Sequence, residues 1–208
     1  MRRASPSRMR VLRNSVAEKA DTRLLINEAF HLGVAADALR SGGIVAHATE
    51  GVWGLACDPF DAAAVSRLLD LKGRSIRKGL ILIGADESDF APEMAALSEL
   101  DAARVRRSWP GPETWLVPNR QFPSWITGGR SSVAVRVPGH DQARTLCAIF
   151  GSALVSTSAN PSAQPPARTE LAVRRYFADE IDHVLHGELT RSAAPTRIRD
   201  AVSGARFR

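Results

Sequence analysis

Cysteine is nearly absent: Cys57 and Cys147 are the only two in 208 residues, and they form no CxxC pair. Two isolated thiols make neither a disulfide framework nor a zinc cage, and they fit a reducing, cytosolic compartment. No apolar run approaches the ~18 residues that cross a bilayer. The N-terminal stretch also lacks the apolar core of a secretory signal. There is no GxxxxGK[ST], no GxGxxG after a strand, no HExxH and no GxSxG, so P-loop, dinucleotide, zinc-hydrolase and serine-hydrolase signatures are all missing. The five histidines, His31, His47, His140, His183 and His186, show no metal-ligand spacing, and no metal site is expected. Aromatics are sparse at 6% with one Tyr, which leaves few platforms for stacking bases.

What is present is arginine. Lys plus Arg is 28 against 22 Asp plus Glu, a net +6. Seven of the cations and two of the acids fall in residues 1–23, so that segment carries +5 and the remainder only +1. The basic character is therefore mostly a tail, and net charge alone does not argue for nucleic acid. Residues 1–20, rich in Arg and Ser, read as a disordered basic tail. A transit peptide shares that composition, and Met9 offers a second start.

After the tail, helical and strand patterns alternate, which predicts a single α/β domain without internal repeats. Phe30, Val34, Ala38 and Leu39 recur at helical spacing before a Gly42-Gly43 stop, and Ile44 to Ala48 reads as a strand. Asp61 is placed to cap a helix with the stripe Val65, Leu68 and Leu69 that ends near Lys72. Leu80 to Ile83 is a buried strand by its continuous apolar run. Residues 93–108 read as a helix, 114–117 and 132–137 as strands, and 141–150 as a helix. A strand at 153–155, a helix at 169–177, a strand at 183–185 and short segments around Ser203-Gly204 close the chain.

Four stretches carry chemistry. Leu71-Lys72-Gly73-Arg74-Ser75-Ile76-Arg77-Lys78-Gly79 puts four cations in seven residues, and Lys72 and Lys78 are two of only three lysines beside 25 arginines. Compact ammonium charges suit phosphate oxygens, although cations at a helix end also offset the macrodipole. Val155-Ser156-Thr157-Ser158-Ala159-Asn160-Pro161 follows an apolar strand. Its hydroxyls and amide suit either a ligand crevice or an ordinary turn. In Ser132 to Val137 the strand period sets Val133, Val135 and Val137 against Ser132, Ala134 and Arg136. Arg136 in so apolar a strand needs an anion, either a ligand's or a structural carboxylate. His47 to Leu55 reads as a loop between strands, with Thr49 and Glu50 at a strand end, Gly51 and Gly54 allowing close approach, and Trp53 in the core.

In this order, the stretches resemble the YrdC-like family, in its short branch of threonylcarbamoyl-AMP synthases. The resemblance is carried by Thr49-Glu50-Gly51-Val52-Trp53-Gly54-Leu55, by Leu71 to Arg74 with Lys78 to Ile83, and by Trp109-Pro110-Gly111-Pro112 with Thr114. It continues through Ser132 to Val137, Val155 to Asn160 and Pro195 to Asp200. It runs from about residue 24 to the C-terminus, so the expected organisation is a tail over 1–20 and one domain over 24–208.

The resemblance implies a twisted mixed β-sheet flanked by helices around a basic concave cavity. It implies formation of L-threonylcarbamoyladenylate and pyrophosphate from L-threonine, bicarbonate or CO2, and ATP taken with Mg, with no tightly bound prosthetic group. A downstream complex would carry the threonylcarbamoyl group to the adenosine beside the anticodon of tRNAs reading ANN codons, in the cytoplasm and away from membranes. Lys72, Arg74 and Lys78 are the implied catalytic cations. Arg74, Lys78, Ser132, Ser158 and Asn160 would bind ATP, and Thr49, Gly51, Arg136, Ser156 and Thr196 would bind threonine. The chain departs from the family's usual pattern at His47-Ala48, where an aromatic-Pro pair precedes Thr-Glu, at Gly51, often Thr, and at Thr196, usually Ser. These departures sit at the amino-acid end of the expected site. The rival reading is a non-catalytic RNA-binding module, with the tail and the cavity contacting tRNA or other RNA phosphates.

Overall fold

The computed structural model describes residues 27–190 and 196–207. The expected tail over 1–20 and Pro195 of the closing motif lie outside the described residues. Eight strands form one mixed sheet: β1 (Val45–Ala48), β2 (Trp53–Cys57), β3 (Ile81–Ile83), β4 (Glu113–Pro118), β5 (Ser132–Arg136), β6 (Leu154–Ser158), β7 (His183–Val184) and β8 (Arg197–Asp200). Their order across the sheet is β7-β1-β2-β6-β3-β5-β4-β8. The pairs β1–β7, β3–β5 and β4–β8 are parallel, and the other neighbours are antiparallel.

The helices are α1 (27–40), α2 (Ala62–Lys72), α3 (Ala91–Met94), α4 (Glu99–Arg106), α5 (Ser124–Thr127), α6 (Asp141–Phe150) and α7 (Glu170–Phe177). Helices α1 and α6 cover one face of the central strands, where Leu32, Ala35, Ala36 and Leu39 meet Leu146, Cys147, Val45, Ala56 and Leu154. The larger core holds Val65, Leu68 and Leu69 of α2 with Leu55, Leu82, Val135 and Trp115. Because β2 and β6 are covered on both sides, their apolar residues run continuously instead of alternating.

Several local expectations hold. Asp61 caps α2 by accepting from the N–H groups of Ala63 and Ala64. Gly73 sits in the left-handed region at φ 55° and closes α2, while the Arg74 N–H returns to the Leu69 carbonyl at 2.9 Å. Three expectations are corrected. Trp53 to Leu55 belong to strand β2, not to a loop. The stretch 93–108 is broken into α3 and α4, since Ser98 at ψ 155° is extended and restarts the helix. In α1 the core face is Leu32, Ala35, Ala36 and Leu39, whereas Phe30 and Val34 are exposed.

Candidate functional site

One cavity of about 680 Å³ crosses six neighbouring strands, β2, β6, β3, β5, β4 and β8. That size suits a nucleotide-scale ligand. Five cations line it, Arg74, Lys78, Arg130, Arg136 and Arg168, with Glu50 as the carboxylate among the described lining residues. The cavity is thus built for anions, in a setting where fixed charges act more strongly than in bulk water.

Two sequence motifs meet at its floor. The end of α2 aims Lys72 away from the cavity, and its ammonium donates to the carbonyls of Ser158 and of Asn160, the latter at 2.7 Å. Ser162 completes the clamp, its N–H on the Lys72 carbonyl at 2.7 Å and its hydroxyl on the Gly73 carbonyl at 2.8 Å. Burial, with Arg74 nearby, pulls the Lys72 ammonium down to about 8. The left-handed turn at Gly73 then sends Arg74 into the cavity, with one Nη on the Gly79 carbonyl at 2.9 Å. Lys78 ends the one-turn helix Ile76–Lys78 and lines the same wall, while Arg77 is exposed and outside it. Arg130 holds this wall by donating to the carbonyls of Thr127 and Arg77 at 3.1 and 2.8 Å. Gly79, at φ 67°, sits in the left-handed region that strains any side chain, and a Cβ there would crowd the Arg130 guanidinium at 3.2 Å and the Thr127 carbonyl at 3.3 Å.

The opposite wall comes from β5 and the loop after β1. Ser132, Ala134 and Arg136 all face the cavity, as their shared strand face requires. Arg136 is only 8% exposed; it donates Nε to the Gly111 carbonyl at 3.0 Å and one Nη to Glu50. Glu50 also accepts the Gly139 N–H at 2.7 Å. Burial opposes the Glu50 charge, but Arg136 and that N–H outweigh it and hold the carboxyl below the usual carboxylate range. The anion that Arg136 needs is therefore a structural carboxylate, and the pair presents a neutralised guanidinium edge to the cavity.

Of the residues expected in the site, Thr49, Gly51, Arg74, Lys78, Ser132, Arg136, Ser156, Ser158 and Thr196 line this one cavity. Lys72 and Asn160 do not; Asn160 donates to the carbonyls of Pro161 and Gln164 and so shapes the loop behind Ser158. Sequence reasoning missed Arg130 and Arg168, which sit in no motif among 25 arginines, and missed that Glu50 pairs with Arg136, 86 residues away. Among the described residues no cluster of His, Cys, Asp or Glu could hold a metal ion, and no helix is long and apolar enough to cross a membrane.

A mixed sheet whose motifs converge on one cationic hollow defines a class, and comparison places the chain within it. The chain belongs to the Sua5/YciO/YrdC family, whose model, described as telomere recombination, matches residues 37–207. It is 52% identical over 180 residues to the threonylcarbamoyl-AMP synthase of Halorhodospira halophila, covering 86% of this chain and 94% of that protein. Against the threonylcarbamoyl-AMP synthase of Cellvibrio japonicus it is 48% identical over 171 residues, covering 82% and 90%. Its fold is similar to that of P. abyssi Sua5 crystallised with L-threonine, at a TM-score of 0.77 and 32% identity over 81% of this chain and 50% of that one.

Proposed function

We propose that this chain is a threonylcarbamoyl-AMP synthase, joining L-threonine, CO2 or bicarbonate, and ATP into L-threonylcarbamoyladenylate with release of pyrophosphate. The observation that carries this reading is the gathering of five cations and several hydroxyls in one cavity. The reaction needs no protein nucleophile. The threonine amine adds to CO2 to give a carbamate. A carbamate oxygen then bonds to the α-phosphorus as the bond to the bridging β-oxygen breaks, and pyrophosphate leaves with its electron pair. Charge grows on phosphoryl oxygens, so catalysis is positioning and electrostatic stabilisation.

Arg74 and Lys78 suit the phosphates, with Arg130 and Arg168 beside them. Ser132 and Ser158 suit the rest of the nucleotide. Thr49, Gly51, Ser156 and Thr196 suit the amino acid, whose carboxylate would meet the open edge of Arg136. Lys72 and Asn160 would act behind this surface, by holding the Ser158 loop. ATP would enter as its Mg complex, the metal carried by its phosphates, since Glu50 is committed to Arg136 and Gly139. The product would pass to a complex that modifies the adenosine beside the anticodon of tRNA.

The test is pyrophosphate release from ATP–Mg. It is expected only when threonine and bicarbonate are both present, because the attacking carbamate needs both. Release that ignores either one would sink the reading. So would no release combined with tight, salt-sensitive RNA binding, which would favour an RNA-binding module.

A further inference from the structure

His47 of β1 is fully buried beneath the cavity at 0% exposure. Its two ring nitrogens have unlike partners. Nδ1 lies 3.1 Å from the Ala48 carbonyl oxygen, and Nε2 lies 3.2 Å from the Ser156 hydroxyl. A carbonyl oxygen only accepts, so Nδ1 carries the ring proton and Nε2 offers a lone pair. The Ser156 hydroxyl must therefore donate to His47.

Room for this contact is built into the sheet. Gly54 pairs with His47 across β1 and β2, and a Cβ at Gly54 would lie 2.9 Å from Nε2 and 3.2 Å from the Ser156 oxygen. Any larger residue at 54 would push the pair apart. Burial pushes the His47 imidazole down to about 4, against the Ala48 carbonyl. His140 and Arg136 lower it further and Glu50 opposes them. A neutral ring is thus the resident form, and so weakly basic an imidazole accepts the Ser156 hydrogen bond without readily taking its proton.

The consequence reaches the cavity. A serine hydroxyl has one proton and two lone pairs. With its proton turned down onto His47, Ser156 shows the cavity lone pairs only. Thr49, also on the cavity wall, does the same, since its hydroxyl donates to the Val52 carbonyl at 2.6 Å. We infer that His47 is a positioning residue that fixes the Ser156 hydroxyl as an acceptor for an N–H of the amino-acid substrate, on its amine or its carbamate. This inference rests on the synthase reading above.

Pyrophosphate release should be measured against threonine and against ATP for wild type, His47→Phe, Ser156→Ala and the double variant. His47→Phe keeps the ring and removes the acceptor. It is expected to raise the threonine KM about ten-fold, the effect of one mis-set hydrogen bond, with the ATP KM unchanged within about two-fold. The double variant should be no worse than Ser156→Ala, because the two act through one hydroxyl. A matching rise in the ATP KM, or additive losses, overturns the inference while leaving the synthase reading intact. Wild type that ignores threonine overturns both. Should His47→Phe fail to fold, imidazole ¹⁵N shifts of the wild type decide. A neutral Nδ1–H ring from pH 5 to 8 supports the inference, and an Nε2–H ring or an imidazolium overturns it.

Discussion

Arg74, Arg77 and Lys78 lie within five positions of one another, yet only Arg74 and Lys78 line the cavity. Arg74→Ala or Lys78→Ala is expected to lower kcat/KM by roughly 10²–10³, the loss typical of one preorganised charge-stabilising group. Arg77→Ala should be nearly silent, because the Arg77 side chain is exposed and its contact with Arg130 uses the backbone carbonyl. Steady-state kinetics on the three variants check this, and an Arg77→Ala loss as large as that of Arg74→Ala would redraw the site. His47 gives a second residue-scale prediction, on stability. Its folded value of about 4 is below its ordinary 6.5, so the unfolded chain takes up a proton first as pH falls. Its contribution is complete above pH 6.5 and is lost progressively toward pH 4. Urea midpoints should fall over that window in wild type, and fall less steeply in His47→Phe. Equal slopes would mean that another group sets the acid limb.

At the scale of elements, the segment after β4 is held by one buried carboxylate. Glu93 of α3 is fully buried and accepts the N–H groups of Arg120 and Gln121 at 3.0 and 3.1 Å and the Gln121 amide at 2.9 Å. Glu93→Ala would strand these donors at a cost of about 1–3 kcal/mol, seen as a lower urea midpoint at an unchanged m-value. No local pattern marks Glu93 as buried, since its partners lie 27 and 28 residues on. The same limit explains which elements were legible. Helix α2 announces itself by a cap and an apolar stripe, and β5 by strict alternation. Strand β2 does not: it is buried throughout, follows Gly51 and contains Gly54, so it has no alternation and reads as a loop. In α1, apolar residues occupy both faces, and periodicity alone could not tell Leu32 and Ala36, which are buried, from Phe30 and Val34, which are not. The site was legible where residues cluster in sequence, as in Lys72 to Lys78 and Ser156 to Asn160. It was illegible where contact is long-range, as in Arg136 with Glu50 or His47 with Ser156.

The whole molecule divides by charge as well as by fold. Residues 1–23 hold +5 and the remaining chain +1, while the cavity concentrates five cations against one carboxylate among its described lining residues. A nearly neutral body with one cationic hollow concentrates its field in that hollow, and leaves little elsewhere for bulk nucleic acid. The basic N-terminal segment is then expected to be separable from catalysis. Every residue assigned to the site lies between Thr49 and Thr196, and the family match begins at residue 37. A chain beginning at Thr22 should release pyrophosphate with threonine and bicarbonate at the full-length rate. Any affinity for bulk RNA should drop on truncation, with a shallower dependence on salt as the tail's phosphate contacts are lost. A large fall in kcat for the shortened chain would tie the segment to the reaction itself. Unchanged RNA binding would instead place the nucleic-acid contacts on the folded body, and would reopen the cavity as a surface for RNA.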